Sequence, residues 1–209
     1  FILTNSLPHS SSFQLRIKRI ADIFISLFIL IFSSPLIILI CFLIYFEDGK
    51  PIFYSQIRNG LGNSKIKIYK LRTMKVSAEE LGPQWSKTND PRITKIGRII
   101  RKLRLDELPQ LILVISGQMS LIGPRPERPE IDNELENMIS HYKVRYLIKP
   151  GLSGWAQVNY PYGASINDSE IKLSYDLYYL YNISFWIDFL ILIKTVKLVL
   201  NAKGAIPKK

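Results

Sequence analysis

The longest feature of the hydrophobic pattern is the segment from Ile23 to Phe46, which contains no charged residue. About 20 apolar residues in an α-helix are enough to cross the hydrocarbon core of a bilayer, and this segment is longer. A signal peptide is excluded because the apolar run is too long and no small-residue cleavage site follows it. The pattern predicts a membrane helix over residues 14–48, with a helix buried in a soluble domain as the alternative.

Ser34 and Pro35 interrupt the apolar segment near its middle. Proline lacks a backbone N–H and clashes with the preceding helical turn, so we expect a kink or break there. The carbonyl groups that lose their partners need other donors in lipid, and the hydroxyls of Ser33 and Ser34 are the nearest.

Basic residues flank the apolar segment on both sides, so the positive-inside rule does not choose an orientation. They are Arg16, Lys18 and Arg19 before the segment and Lys50, Arg58 and Lys65 after it. The simplest arrangement is re-entrant, with a helix, a break at Ser34 and Pro35, and a second helix returning to the same cytoplasmic face. A single full crossing remains the alternative, because hydropathy alone does not separate the two.

The next segments predict a small β-hairpin and a loop. Ile52–Ile57 and Lys65–Leu71 have strand composition, and Asn59-Gly60-Leu61-Gly62 between them is typical of a turn. The polar segment Met74–Pro91 contains the turn signals Gly82-Pro83 and Asn89-Asp90-Pro91 and is predicted to be a loop with one short helical turn.

Four apolar residues recur at helical spacing after this loop, and basic residues cover most of the opposite face. The apolar residues are Ile96, Ile99, Ile100 and Leu103, and the basic ones are Lys95, Arg98, Arg101 and Lys102. This pattern predicts an amphipathic helix that lies against an anionic surface or ligand. An ordinary solvated helix face would show the same pattern.

The C-terminal half is predicted to be mainly helical. Leu108–Ile115 is apolar and ends at Ser116-Gly117, and Pro109 is tolerated only in the first turn of such a helix. Residues 127–148 have the composition of a mixed-charge helix with a basic tail, and Pro150–Trp155 is turn-rich. Ile183–Leu200 is predicted to be an amphipathic helix at the membrane interface or against the core. The tyrosines between residues 175 and 181 form either an interfacial belt or the edge of the core.

The net charge of +11 and the sequence pI near 9.7 predict a polyanionic partner. Candidates are anionic lipid headgroups, nucleotide phosphates and nucleic acid. The single cysteine, Cys41, excludes an internal disulfide, and two histidines with one cysteine are too few for a zinc cluster. The first residue is Phe1 rather than Met, as in a fragment of a longer protein.

The adjacent acids Asp106 and Glu107 directly follow the most basic stretch of the chain, Lys95–Arg104. One carboxylate of such a pair can hold a divalent cation while the other attacks phosphorus or moves a proton, and arginines neutralise phosphoryl oxygens. The position at a helix N-terminus is expected to lower the pKa of both carboxyl groups. A solvated surface cluster of ion pairs is the alternative interpretation.

Five motifs in series carry a resemblance to the bacterial sugar transferase family, the monotopic phosphoglycosyl transferases, over about residues 14–200. They are Lys70–Met74, Asn89–Thr94, Arg104–Gln110, Met119–Pro126 and Lys149–Val158, followed by Tyr175–Tyr179. The resemblance implies transfer of a sugar 1-phosphate from a UDP-sugar to undecaprenyl phosphate, with Mg²⁺ required and Mn²⁺ as a substitute. It also implies a re-entrant helix broken at Ser34-Pro35.

The resemblance further implies roles for individual residues. Asp106 corresponds to the nucleophile and Glu107 to a metal ligand, while Arg101 and Arg125 correspond to arginines that contact phosphate. Arg72 is a further candidate for binding substrate phosphate, at a position where some members have lysine, so the charge is kept.

These expectations give an α+β fold with a re-entrant membrane helix, amphipathic interfacial helices and a compact cytoplasmic catalytic domain. Residues 1–13 are expected to form a linker or frayed N-terminus, residues 49–202 the catalytic domain and residues 203–209 a tail. The expected location is the cytoplasmic face of a bacterial inner membrane, in contact with its lipids, where the enzyme would initiate exopolysaccharide, capsule or O-antigen synthesis. A homodimer is a possible assembly.

Two other classes of function compete with this one. A membrane-tethered polyanion-binding protein explains the charge, but familiar nucleic-acid-binding motifs are absent and the acid pair would have no role. We therefore expect no nucleic-acid partner. A non-catalytic partner of a polysaccharide assembly complex is the other alternative, and it requires the two acids to be inert.

Overall fold

The computed structural model describes residues 12–79, 90–161, 163 and 165–201. Most of the expected linker at residues 1–13, the turn at Gly82-Pro83 and the expected tail at residues 203–209 lie outside the described residues. The described chain has mixed helix and strand content, with one long apolar helix at its start and two small sheets.

The first helix, α1, spans Ser12–Asp48 and is 37 residues long with Pro35 inside it. Where we expected two helical segments and a break, the structure has one helix. The physical reason is visible at Ser34, whose hydroxyl donates to the Ile31 carbonyl at 2.7 Å. That carbonyl is the one for which Pro35 lacks an N–H, so the predicted use of a serine hydroxyl is confirmed even though the helix continues.

Helix α1 is long and apolar enough to cross a membrane, and only 11% of its most apolar 18-residue stretch is buried by the rest of the chain. Its N-terminal part is nevertheless attached by polar contacts. Lys18 pairs with Asp188 at 2.7 Å, and the hydroxyl of Ser120 donates to the buried Asp22 carboxylate at 2.6 Å. Arg19 donates to the carbonyls of Val114 and Ile115. Lys18 and Arg19, which we counted as flanking charges, therefore take part in the fold.

The predicted hairpin is confirmed by strands β1 (Phe53–Asn59) and β2 (Lys65–Leu71), which pair antiparallel in a register that places Phe53 opposite Leu71. In β2, Ile66 and Ile68 are buried while Lys65, Lys67 and Tyr69 are exposed. Because alternate residues of a strand share a face, Lys70 lies on the same inward face as the two isoleucines.

The predicted amphipathic helix is also confirmed as α2 (Lys95–Lys102), with Ile100 buried. At its start, the Thr94 hydroxyl accepts from the amide of Gly97, and the Glu47 carboxylate at the end of α1 accepts from the amides of Lys95 and Ile96. The C-terminal end of α1 thereby caps α2. Ile40 and Ile44 of α1 complete the contact by packing with Leu71 and Ile100.

The apolar segment predicted as one helix consists of two pieces. A 3₁₀-helix spans Leu105–Gln110 and contains Pro109, and α3 (Leu111–Ser116) follows it. Gly117 ends α3 with a φ of 90°, a conformation that favours glycine, so the predicted stop is confirmed.

The remaining chain forms short strands and helices around the main core. They are β3 (Ser120–Ile122), α4 (Pro129–Met138), a 3₁₀-helix (Tyr142–Leu147), β4 (Gly151–Ser153), α5 (Trp155–Asn159), α6 (Ile166–Tyr181) and α7 (Phe185–Leu200). Strands β3 and β4 pair in parallel. Tyr179 is fully buried whereas Tyr178 and Tyr181 are about half exposed, so the tyrosines of α6 lie at the edge of the core.

Strands β3 and β4 fix the position of the loop that follows β3. The main core packs Val114, Met119, Ile122, Tyr179 and Ile191 together beneath this pair. A Cβ atom on Gly123, at the end of β3, would lie 2.4 Å from the Lys149 carbonyl oxygen, so only glycine permits this close approach. The loop Gly123–Arg128 therefore leaves the sheet in a direction set by backbone packing.

Candidate active site

Asp106 and Glu107 lie in the first turn of the 3₁₀-helix Leu105–Gln110, and each side chain is buried. The preceding residue, Arg104, has a φ of 54° in the left-handed region, which turns the chain sharply between α2 and this helix. The two acids are therefore not a solvated surface pair, and the alternative interpretation of an exposed ion-pair cluster is wrong.

The Glu107 carboxylate is surrounded by basic groups from three elements. Its Oε1 atom lies 2.6 Å from Lys70 Nζ and 3.1 Å from the Arg125 guanidinium. Its Oε2 atom lies 3.7 Å from the Arg104 guanidinium. Lys70 comes from β2, Arg104 from the turn before the 3₁₀-helix and Arg125 from the loop after β3. The site is thus assembled from parts of the chain that are distant in sequence.

The two carboxyl groups have different pKa values. Burial raises the pKa of Asp106 to about 6, and the adjacent Glu107 charge adds to the rise, while Lys70 and Arg101 oppose it. Burial also acts to raise the pKa of Glu107, but Lys70, Arg125 and Arg104 outweigh it and hold that pKa well below its usual value. The expectation that helix position lowers both pKa values is wrong for Asp106, because burial and the neighbouring charge dominate there.

Arg101 and Arg125 lie near the acid pair, but Arg72 does not contact it. Arg101 acts electrostatically on Asp106, and Arg125 bonds Glu107 directly. Arg72 instead donates to the carbonyls of Asp48 and Gly49, each at 2.9 Å, and pairs with the Asp48 carboxylate at 3.2 Å. Arg72 thus holds the C-terminal end of α1 against β2. Ser34 and Pro35 lie within α1, among its apolar residues.

Sequence reasoning missed Lys70 and Arg104 as members of the site. The signal for Lys70 was present, because a lysine at an inward position after Ile66 and Ile68 breaks the alternation of β2. The signal for Arg104 was weak, since its role depends on a positive φ that arginine seldom adopts.

The donor set is compatible with a magnesium ion held jointly by protein and substrate. Within the described parts of the chain, no group of three or more His, Cys, Asp or Glu side chains could hold a metal. Mg²⁺ usually binds proteins through one or two carboxylates together with substrate phosphates and water. The Asp106–Glu107 pair supplies that number of carboxylates, although both Glu107 oxygens already contact basic side chains.

Nearby basic groups and an ionisable carboxylate give this site a defined chemistry. Lys70, Arg101, Arg104 and Arg125 can neutralise phosphoryl oxygens, which favours a phosphate or diphosphate ligand. Near neutral pH most Asp106 side chains are ionised, because the pKa is about 6. An ionised, desolvated carboxylate beside bound phosphate is placed for nucleophilic attack on phosphorus.

The chain is similar to curated bacterial enzymes that act on undecaprenyl phosphate. It is 42% identical over 189 residues to the UDP-N-acetylgalactosamine-undecaprenyl-phosphate N-acetylgalactosaminephosphotransferase of Aeromonas hydrophila, covering 90% of this chain and 45% of that protein. It is 36% identical over 182 residues to the UDP-glucose:undecaprenyl-phosphate glucose-1-phosphate transferase of Escherichia coli K12, covering 86% of this chain and 39% of that protein.

A third relative has another sugar in its name. The undecaprenyl-phosphate galactose phosphotransferase of Salmonella typhimurium is 37% identical over 219 residues, covering 98% of this chain and 44% of that protein. The chain thus spans less than half the length of each of these three relatives.

A family model described as bacterial sugar transferase matches residues 13–202, which is nearly the whole chain. With the acid pair and its basic surroundings inside the matched region, the chain belongs to the bacterial sugar transferase family.

Proposed function

We propose that this chain transfers a sugar 1-phosphate from a UDP-sugar to undecaprenyl phosphate and so initiates the synthesis of a cell-surface polysaccharide. The strongest support is the different environment of two adjacent acids. Asp106 has a pKa of about 6, whereas Lys70, Arg125 and Arg104 hold the neighbouring Glu107 carboxylate ionised. The names of the relatives add the acceptor, since all three act on undecaprenyl phosphate.

In the proposed first step, an oxygen of the Asp106 carboxylate attacks the phosphorus that carries the sugar. The bond from that phosphorus to the bridging oxygen breaks, and UMP leaves with the electron pair. The product is a phosphosugar joined to Asp106. Dividing the transfer in this way avoids direct attack of the anionic lipid phosphate on the anionic diphosphate.

In the second step, a phosphate oxygen of undecaprenyl phosphate attacks the same phosphorus. The bond to Asp106 breaks, which restores its carboxylate and releases the lipid diphosphate sugar. Arg101 and Arg125 would hold the phosphoryl oxygens in line during both steps. Lys70 and Arg104 would keep Glu107 ionised and oriented.

We also propose that the reaction requires Mg²⁺, which Glu107 would help to hold together with the donor phosphates and which Mn²⁺ could replace. When bound, the ion stabilises the negative charge that develops on the leaving UMP. Excess chelator is expected to abolish UMP release, and added Mg²⁺ or Mn²⁺ to restore it. Full activity in chelator would contradict this role.

The same proposal keeps the re-entrant placement of α1 in the cytoplasmic membrane, but as one continuous helix. Both of its ends and the site would lie on the cytoplasmic face. Both ends of α1 contact one catalytic body, through Lys18 and Asp188 near the start and Arg72 and Asp48 at the end. Residues 18 and 48 of a continuous helix are about 45 Å apart. Contacts at both ends support a helix that lies shallowly in the membrane, alongside the catalytic part of the chain. A helix that crossed the bilayer would carry one of its ends away from that part.

The experiment that tests the proposed function is a UMP-release assay with undecaprenyl phosphate and a panel of UDP-sugars. We expect release with one or a few sugars, dependent on the lipid acceptor for multiple turnovers. Without the acceptor, release should stop near one UMP per enzyme, because the phosphosugar stays on Asp106. No release with any sugar would favour the non-catalytic assembly partner instead.

A further inference from the structure

The loop Gly123–Arg128, which carries Arg125, is held by its backbone carbonyl groups. Four consecutive carbonyls accept hydrogen bonds from three different parts of the chain. The Pro124 carbonyl accepts from the Gly151 amide at 2.8 Å, and the Arg125 carbonyl accepts from the Arg145 guanidinium at 2.8 Å. The Pro126 carbonyl accepts from the Arg58 guanidinium at 3.3 Å, and the Glu127 carbonyl accepts from the Asn59 amide at 3.0 Å. A loop fixed at each of these points has little freedom to move its backbone, which fixes where the Arg125 side chain begins.

Arg145 is the donor to the carbonyl of Arg125 itself, and it is buried. Its guanidinium pairs with the Asp176 carboxylate of α6 at 2.9 Å and donates to the hydroxyl of Tyr142. One rigid planar group therefore joins α6, the 3₁₀-helix Tyr142–Leu147 and the loop.

The same network continues to the other end of the loop. The Tyr142 hydroxyl donates to Asp132 at 3.0 Å, and the Asn59 side-chain amide donates to the other oxygen of Asp132 at 2.6 Å. Asn59 is also the residue whose backbone amide holds the Glu127 carbonyl. The network thus holds the loop on both sides of Arg125.

A buried arginine with two buried aspartates contributes little net free energy to the stability of a fold. Desolvating such charges can cost as much as their attraction returns, and apolar replacements of the same volume are often as stable. Networks of this kind can instead fix one geometry, because each charge is satisfied in only one arrangement. The group whose geometry they fix here is the loop that carries Arg125, whose side chain lies 3.1 Å from Glu107.

We propose that Arg145 is a positioning residue, which sets where the Arg125 guanidinium lies relative to Glu107 and to the donor diphosphate. The part that concerns the diphosphate rests on the proposed function. Arg145 itself does not contact the acid pair through any hydrogen bond or ion pair found among the described residues. It acts through the carbonyl of Arg125.

The first test is amide hydrogen exchange in Arg145→Lys, which does not depend on activity. Lysine is a point donor and does not bond Asp176, Tyr142 and the loop carbonyl in the same fork geometry. We expect the amides of Asn59 and Gly151, which hold the loop, to exchange about tenfold faster than in the parent. Unchanged exchange at both amides would overturn the proposal.

The second test is a double-mutant cycle with UDP as the probe. Arg145→Lys should weaken UDP binding about tenfold in the parent background but less than about twofold in Arg125→Ala, since the effect passes through Arg125. Equal weakening in both backgrounds would overturn the proposal, because it indicates general loss of structure.

Lys143→Gln is the matched control, since Lys143 lies on the same 3₁₀-helix, is mostly exposed and pairs with Glu136 at 3.0 Å. It should change neither exchange nor affinity. If Arg145→Lys does not fold, Tyr142→Phe replaces it in both tests, because it removes one partner of Arg145 and keeps the ring, whose centroid lies 5.1 Å from the guanidinium carbon. If the parent does not bind UDP, the proposed function fails and the exchange test alone decides the role of Arg145.

Discussion

Two adjacent carboxyl groups in one helical turn differ in pKa because their neighbours differ. Lys70, Arg104 and Arg125 all contact Glu107, whereas Asp106 is buried beside that negative charge. Pairs of titratable groups whose pKa values are separated in this way are typical of catalytic sites, where each takes one role. The assignment of nucleophile to Asp106 is therefore testable with single substitutions.

Asp106→Asn should abolish UMP release, by about 10³-fold or more, because an amide of nearly the same shape is a poor nucleophile. Membrane association should be unchanged, since α1 is unaffected. The measurement is single-turnover UMP release, with sedimentation of membranes as the second readout. Glu134→Gln, which makes the same chemical change at an exposed position of α4, is the control. Near-parental rates in Asp106→Asn would contradict the assignment.

Activity should fall as the pH drops through about 6, because Asp106 becomes protonated and only its ionised form attacks phosphorus. Lys70 lowers the pKa of Asp106, so Lys70→Met should raise that pKa and move the acid limb of the kcat/KM profile to higher pH. Lys67→Met, on the outward face of the same strand, should leave the limb in place. A limb that moves to lower pH in Lys70→Met would contradict the sign of this coupling.

At the scale of elements, α1 and α2 are joined through the Glu47 carboxylate, which accepts from the Lys95 and Ile96 amides at 2.7 and 3.0 Å. Helix α2 in turn carries Arg101, which acts on Asp106. The helix proposed to lie in the membrane is therefore connected to the site by one short chain of contacts.

Glu47→Ala should reduce the free energy of unfolding by about 1 kcal/mol, because two amides at the start of α2 lose their acceptor. Glu47→Gln should lose less, since its carbonyl oxygen can still accept. Thermal unfolding in a single detergent would measure both, with Glu134→Ala on an exposed face of α4 as the control. Equal stability of Glu47→Ala and the parent would show that water replaces the cap without cost.

The elements that sequence reasoning found have a pattern that runs over many residues, such as the long apolar run of α1. The hairpin and α2 show alternation or helical spacing, whereas β3 and β4 are three residues long and mostly buried, with no alternation to detect. Pro35 predicted a break that the Ser34 hydroxyl compensates, a contact that depends on a side-chain rotamer. Arg72 was assigned to phosphate from its motif, but the end of α1 occupies it. That contact joins residues far apart in sequence and is invisible to local patterns.

At the scale of the whole molecule, the re-entrant placement of α1 remains a prediction. Single cysteines near Arg16 and near Lys50, in a Cys41-free background, should both resist an impermeant thiol reagent added to intact cells. Labelling of one end only would establish a full crossing.

Replacing Ser34 and Pro35 with Ala and Leu should push α1 toward spanning and lower activity, and an active variant of this kind would show that neither residue matters for function. The possible homodimer also remains a prediction.

The ion pair between Lys18 and Asp188 has a consequence for biosynthesis, because the two residues are 170 positions apart. Helix α1 leaves the ribosome before the partners of its polar residues, which are Ser120 for Asp22 and then Asp188 for Lys18. Contacts of such high sequence separation form late in folding. In a nascent chain that ends before α7, Lys18 therefore has Asp22 of its own helix as a partner but lacks Asp188, and α1 gains this second contact only after α7 has been translated.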